Sequence, residues 1–273
     1  MTETTSTEQG FAEVNGARLY YEVAGEGQPL VMLHGHLIDS GQWDEQFAVF
    51  ARRYRVVRYD ARGFGQSSKP PDPFAHHEDL RAILAFFGIE RAYLIGCSGG
   101  GAAIIDFALA YPEQAGALVL VGAGLAGYQW TEVPPLALVL REAHERGDID
   151  GAVELSLQLW TDGTDRTPEQ VNPAAREKIR AMSARLFARP EVDAPINQLE
   201  PPAIARLAEI RASALAIVGD RDVPPILEIA DMIAAQVAGA RKVVIPDAGH
   251  HPNMEHPELF NQVVLDFLGE LSD

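Results

Sequence analysis

The chain has 273 residues, 47% hydrophobic and 22% charged, a globular mix that excludes a disordered or collagen-like polymer. Its 22 basic and 39 acidic side chains leave a net charge of −17, which argues against general nucleic-acid binding and against docking on anionic lipid, since both need basic patches. One cysteine, Cys97, excludes an intrachain disulfide framework and any multi-cysteine metal site.

Residues 1–9 read as a flexible tail, without the basic start or apolar run of a signal peptide. No segment approaches the roughly 18 apolar residues of a membrane span, so the expected location is the cytoplasm. Two strands, near Phe11–Val14 and Arg18–Val23, are joined by Asn15-Gly16, a two-residue hairpin signal. Pro29–Leu33 is apolar without alternation, as suits a strand buried on both faces. A helix over Ser40–Arg52 and a strand over Arg55–Tyr59 follow, then a Gly/Ser/Pro loop over Gly63–Pro73 and a helix over His76–Phe87. Strand Ala92–Ile95, a helix ending before Pro112 and strand Ala117–Val121 continue the alternation. Strands that alternate with helices imply crossover connections and a mostly parallel sheet flanked by helices, an α/β fold.

From Gly124 to Arg206 no strand is evident. Helical periodicity fits Leu136–Arg146, Ile149–Trp160, Ala174–Phe187 and Ala203–Ile210. Strand Leu215–Val218, helix Ile226–Val237, strand Lys242–Ile245 and helix Pro257–Leu271 then restore the rhythm. The expected domains are a core of residues 10–123 and 207–273, with residues 124–206 inserted as a helical cap, or lid. Functional groups gather at the carboxyl ends of parallel strands, so a lid belongs over that end of the sheet.

Gly96-Cys97-Ser98-Gly99-Gly100 fits Gly-x-Ser-x-Gly in the context that motif needs, an apolar strand before and a helix-compatible run after. The alternative is a glycine-rich helix start in which Ser98 merely caps the helix. A serine hydroxyl needs a base to take its proton. His250, on a loop after the last strand, is the candidate among 8 histidines, and no His-Glu-x-x-His motif supports a zinc site. Gly219-Asp220-Arg221-Asp222 offers two carboxylates after a strand to orient that base. The chain order Ser98, Asp222, His250 is that of one known arrangement of this triad.

With these residues in view, the chain resembles the α/β-hydrolase family from about Gly10 onward. His34-Gly35 is similar to the family's oxyanion-loop motif, Asp60-Ala61-Arg62-Gly63-Phe64-Gly65-Gln66-Ser67 to its Asp-x-Arg-Gly-x-Gly-x-Ser stretch, and Gly249-His250 with Glu255-His256-Pro257-Glu258 to its histidine loop. The resemblance implies Ser98 as nucleophile, His250 as base and Asp222 as acid, with Asp220 structural. It also implies an oxyanion hole from the backbone N–H groups of His36 and Gly99. Within the family the pattern looks most like 3-oxoadipate enol-lactonases and related small esterases. Where those often carry Met or Gln after the serine, Gly99 stands here, which predicts a roomier acyl side.

Trp43, Tyr128, Trp130 and Trp160 are candidates for lining a substrate pocket, although plain packing would equally use them. The lid arginines Arg166, Arg176, Arg180 and Arg185 are either a solvated face or include a partner for a substrate carboxylate. Gly122-Ala123-Gly124-Leu125-Ala126-Gly127 imitates a dinucleotide loop but lacks the helix and strand that should follow. Cys97 reads as a small buried filler. The function expected is a serine hydrolase acting on a small-molecule carboxylic ester or lactone, with no cofactor, no metal, no nucleic acid and no membrane partner. A carbon–carbon-bond hydrolase or a cofactor-free perhydrolase on the same triad is the first alternative, and a non-catalytic ligand receptor on this fold the second.

Overall fold

The computed structural model describes residues 6–69, 72–189 and 194–271. Its frame is an eight-stranded sheet: β1 (Thr7–Val14), β2 (Ala17–Ala24), β3 (Pro29–Leu33), β4 (Arg55–Tyr59), β5 (Ala92–Cys97), β6 (Ala115–Val121), β7 (Ser213–Gly219) and β8 (Arg241–Ile245). The spatial order is β1-β2-β4-β3-β5-β6-β7-β8. β1 and β2 form the expected hairpin, with Val14 opposite Ala17 and both turn residues at positive φ (Asn15 at 49°, Gly16 at 70°). β2 pairs antiparallel with β4, and the remaining neighbours pair in parallel.

Central strands bury both faces because each is covered by helices. Val31 and Leu33 pack with α2 (His76–Phe86), α3 (Gly99–Ala110) and α7 (Pro224–Gln236) on one side. Leu30 and Met32 pack with α1 (Asp44–Phe50) and α9 (Pro257–Gly269) on the other. The fold is that of an α/β protein with a mostly parallel sheet, as the alternating pattern predicts.

Between β6 and β7, α4 (Pro135–Glu145), α5 (Ile149–Ser156) and α6 (Pro173–Phe187) share a small core of their own. Ala143, Val153, Leu157, Ile179 and Phe187 close over Ile38, from the loop after β3, and Met254, from the short helix Pro252–Glu255 after β8, which seats these helices at the carboxyl end of the sheet. Three expectations need correction. Of the tail, residues 1–5 lie outside the described residues, but Thr7–Gln9 belong to β1, where pairing with Glu22–Ala24 overrides their polar composition. Ala203–Ile210 is not one helix but two 3₁₀ turns, Ala203–Ala205 and Leu207–Glu209, since Pro201-Pro202 sets the chain's entry and Arg206 leaves the helical region between them. Ile149–Trp160 is helical but changes at Leu157 to a π-helix that runs to Asp162.

Candidate active site

β5 delivers Ser98 on a sharp turn into α3. Its backbone is held at φ 51° and ψ −116°, a conformation costly for a residue with a Cβ. The turn closes only because its neighbours lack side chains: a Cβ on Gly96 would lie 2.5 Å from the Gly100 carbonyl oxygen, and one on Gly100 2.5 Å from that of His34. Ser98 occupies the N-cap position of α3 but its side chain makes no capping bond, so the helix-cap alternative does not account for it. Cys97 is buried beside it, and burial pushes its thiol up to about 12, a filler as expected.

Asp222 follows β7 and His250 follows β8. Their side chains meet in a buried hydrogen bond of 2.8 Å between His250 Nδ1 and Asp222 Oδ2. Asp222 also accepts from the Val223 N–H at 2.8 Å, which orients the carboxylate. Asp220 is exposed, and among the described residues its side chain pairs only with Arg221, at 3.6 Å. Ser98 and His250 line one cavity. Gly122, first residue of the stretch that imitates a dinucleotide loop, lies beside this pair at φ 48°; a Cβ there would stand 3.0 Å from His250 Nδ1 and 3.3 Å from Asp222 Oδ2.

The His34-Gly35-His36 loop runs alongside Ser98, with Gly35 so near that a Cβ on it would sit 3.3 Å from Ser98 Cβ. His34 is buried and neutral in its hydrogen bonding: Nε2 accepts from the Ala61 N–H at 2.9 Å, which leaves Nδ1–H to donate to the Gly35 carbonyl at 2.7 Å. Gly99 opens α3, so its N–H has no intrahelical acceptor. The His36 ring stacks on Phe64 (5.5 Å, 10°). It also covers Gly99, where a Cβ would meet His36 Nε2 at 2.4 Å. The space expected to be open on the acyl side is therefore filled by His36. That imidazole opens onto the cleft but is walled by protein elsewhere, and the desolvation holds it down at about 4.

Beneath the loop lies a polar network that sequence reasoning missed. Gln42 Oε1 accepts from the Gly35 N–H at 2.9 Å. Gln42 Nε2 donates to Asn253 Oδ1 at 3.2 Å, and Asn253 Nδ2 donates back to Gln46 Oε1 at 3.1 Å. The network ties the His36 loop to the loop carrying His250. That second loop is also bound to the inserted helices. The His250 N–H donates to the Trp160 carbonyl at 2.8 Å, and Glu255 accepts from the Gly249 N–H at 2.7 Å and from Arg166 at 2.8 Å.

Ser98 sits between two lobes. The larger, about 390 Å3, is lined by Leu37, Ile38, Leu140, Leu159 and Ile179 with Ser156, Thr161, Ser183 and the three histidines His36, His250 and His251. The smaller, about 290 Å3, is lined by Leu125, Tyr128, Trp130, Trp160, Ile226 and Ile229 with His76, His77 and Asp106. Tyr128, Trp130 and Trp160 thus line the cavity. Trp43 does not: it is fully buried on the far side of the sheet, packed toward Phe260 with ring centroids 6.4 Å apart. Among the described residues, no group of three or more His, Cys, Asp or Glu side chains is placed to hold a metal ion.

Residues 30–263 match the Alpha/beta hydrolase family. The chain is an α/β-hydrolase. It is 32% identical over 272 residues to a 2-hydroxy-6-oxononadienedioate/2-hydroxy-6-oxononatrienedioate hydrolase of Paraburkholderia phymatum, with 93% of this chain and 91% of the relative covered. Among solved structures it is similar to a hydrolase from Pseudomonas aeruginosa (TM-score 0.75, 30% identity, 96% of this chain and 98% of that one). It shares its fold with the enol-lactonase from Burkholderia xenovorans (TM-score 0.77, 24% identity, 95% and 100% covered).

Arg166, Arg176, Arg180 and Arg185 of this α/β-hydrolase are all engaged, and none of the four lines either lobe. Arg166 is buried on Glu255, Arg176 grips both oxygens of Asp162 (2.7 and 2.9 Å) and Glu154, Arg180 binds Glu154 and Arg185 binds Asp39. Among the described residues, no helix is long and apolar enough to cross a membrane.

Proposed function

We propose that this α/β-hydrolase is a serine hydrolase that cleaves a small, uncharged carboxylic ester or lactone through an acyl-enzyme, under a cap formed by residues 124–206. The observation that carries the reading is the buried 2.8 Å bond between His250 Nδ1 and Asp222, set beside a strained Ser98 on the same cavity wall. With Nδ1 engaged, Nε2 of His250 is the nitrogen left to take the Ser98 proton as Oγ attacks the carbonyl. The tetrahedral oxyanion falls to the backbone N–H groups of Gly99 and His36, each such donor contributing on the order of 3 kcal/mol. His250 then passes the proton to the leaving alkoxide, and a water activated by the same nitrogen releases the acid. The scheme calls on no cofactor and no metal.

Preference for an uncharged substrate follows from the lining. Neither lobe has a lysine or arginine, and its one carboxylate, Asp106, disfavours an anion. A second reading, hydrolysis of a carbon–carbon bond, is favoured by the name of the Paraburkholderia relative, whose dienedioate carries two carboxylates. Those carboxylates would find no cationic partner in either lobe, and Arg166, Arg176, Arg180 and Arg185 are already bound to carboxylates of the chain.

Labelling with a fluorophosphonate and turnover of p-nitrophenyl butyrate test the proposal together. Ser98→Ala should lose both, whereas Cys97→Ala should keep most activity. Label on Cys97, or full turnover without Ser98, would refute it. An unlabelled wild type that binds but never hydrolyses would point to a receptor, and turnover of a vinylogous diketone faster than any ester would select the carbon–carbon reading.

A further inference from the structure

The smaller lobe contains a charged group for which hydrolysis at Ser98 has no use. Asp106 lies on α3 eight residues after Ser98, about 12 Å further along the helix axis. Ser98, Ala102 and Asp106 follow at intervals of four, so one stripe of the helix forms the lobe's wall from nucleophile to carboxyl. Asp106 is 7% exposed, and its buried Oδ1 has no hydrogen-bond partner. Arg206 is the cation whose field reaches it, but that guanidinium is bound to both oxygens of Glu209. The lobe's lining is mostly apolar, with Leu125, Trp130, Ile226 and Ile229 in it, and Asn197 and Gln198 are its uncharged amides. Burial raises the Asp106 carboxyl to about 6. A second polar atom of the same lobe, His76 Nε2, is likewise buried and without a partner.

Unpartnered buried polar atoms are rare in folded proteins and each calls for a reason. Both residues, Asp106 and His76, line a cavity that opens at the nucleophile. We infer that Asp106 is the specificity-determining residue of the smaller lobe, the acceptor that selects ester substrates whose far end carries a hydroxyl or another hydrogen-bond donor. A methyl-ended chain would fill the lobe but leave the carboxyl unpaired, and a carboxylate-ended chain would be repelled. The inference rests on the ester-hydrolase reading, because that reading puts the scissile bond at Ser98.

Two matched series test it. In the first, p-nitrophenyl hexanoate, p-nitrophenyl 6-hydroxyhexanoate and mono-p-nitrophenyl adipate vary the acyl end. In the second, hexyl acetate and 6-hydroxyhexyl acetate vary the alcohol end. In at least one series the wild type should favour the hydroxyl over the methyl terminus by roughly tenfold in kcat/KM, with adipate poorest. Asp106→Leu should invert the hydroxyl–methyl order. Asp106→Asn, which keeps an acceptor, should retain part of the hydroxyl preference and relieve the exclusion of adipate. Fluorophosphonate labelling of Ser98 in each variant verifies that it is folded. A hydroxyl-to-methyl ratio that is the same in wild type and Asp106→Leu in both series would overturn the inference while leaving the ester reading intact. A measurement independent of hydrolysis separates the two: Trp130 and Trp160 line the lobe, so 1,6-hexanediol and 1-hexanol can be titrated by tryptophan fluorescence into Ser98→Ala. Tighter binding of the diol that is lost on adding Asp106→Leu supports Asp106 even if no ester is cleaved. Equal binding of the two alcohols counts against it.

Discussion

Asp220 and Asp222 are two residues apart, and only one of them meets a histidine. Asp222 is fully desolvated against His250 and the Val223 N–H, whereas Asp220 looks out to solvent beside Arg221. If Asp222 fixes the tautomer of His250 as proposed, Asp222→Asn offers an amide whose N–H₂ cannot accept from Nδ1–H, and kcat should fall by about 10⁴. Asp220→Asn should change unfolding free energy by no more than about 0.5 kcal/mol, as for an ordinary surface site, and keep kcat within about twofold. Steady-state kinetics and urea melts on the two variants check this, and a reversed order would move the orienting role to Asp220. At this scale the sequence was most readable where the signal is local: Ser98 sits in its own strand–turn–helix pentapeptide, and Asp222 and His250 each close a strand. It was least readable where a contact spans the chain. Nothing near Trp43 says that Phe260 will cover it, and nothing near Gly99 says that His36, from another strand's loop, will occupy the room a side chain there would have used.

The π-helix Leu157–Asp162 shows the same limit for an element. Residues Ile149–Trp160 carry an unbroken helical period, so a continuous α-helix is the natural expectation. The widened turn appears where the chain presents carbonyls to the histidine loop, with Trp160 accepting from the His250 N–H and Thr161 and Asp162 accepting from Arg166 at 2.7 Å. Arg166 in turn holds Glu255, whose other oxygen takes the Gly249 N–H. Both side chains are at most 5% exposed, so this is a buried ion pair and its halves are not separable. Arg166→Met would strand the Glu255 carboxylate and should cost about 3–5 kcal/mol. Combining it with Glu255→Gln, which removes the charge but keeps an acceptor for Gly249, should recover more than half of that. Chemical denaturation of the single and double variants measures it. A cost below about 1 kcal/mol for Arg166→Met would mean that the clamp does not bind the inserted helices to the histidine loop.

For the whole molecule, acidity acts in two opposed ways. The net charge of −17 repels itself at neutral pH, so mild acid should relieve strain on the compact state. Buried histidines push the other way. Desolvation lowers His34, His76, His77 and His251 below the usual 6.5, His76 to about 3. Between about pH 6.5 and pH 4 the unfolded chain binds protons that the folded chain refuses. The stability these groups contribute is therefore complete above pH 6.5 and is lost as pH falls toward their folded values. Asp106, raised to about 6, and Glu255, raised by burial, oppose this, because their folded forms keep a proton that the unfolded chain releases. Four groups outweigh two, so the histidines should prevail once the global repulsion is removed. Salt does that selectively: at 1 M the Debye length is about 3 Å, which screens surface charges but not buried imidazoles. In 1 M NaCl the Tm should fall steadily from pH 7 to pH 5, more steeply than in 20 mM NaCl, and His76→Phe should flatten the slope. A Tm that holds or rises over that interval at high salt would mean that the buried histidines are protonated in the folded state.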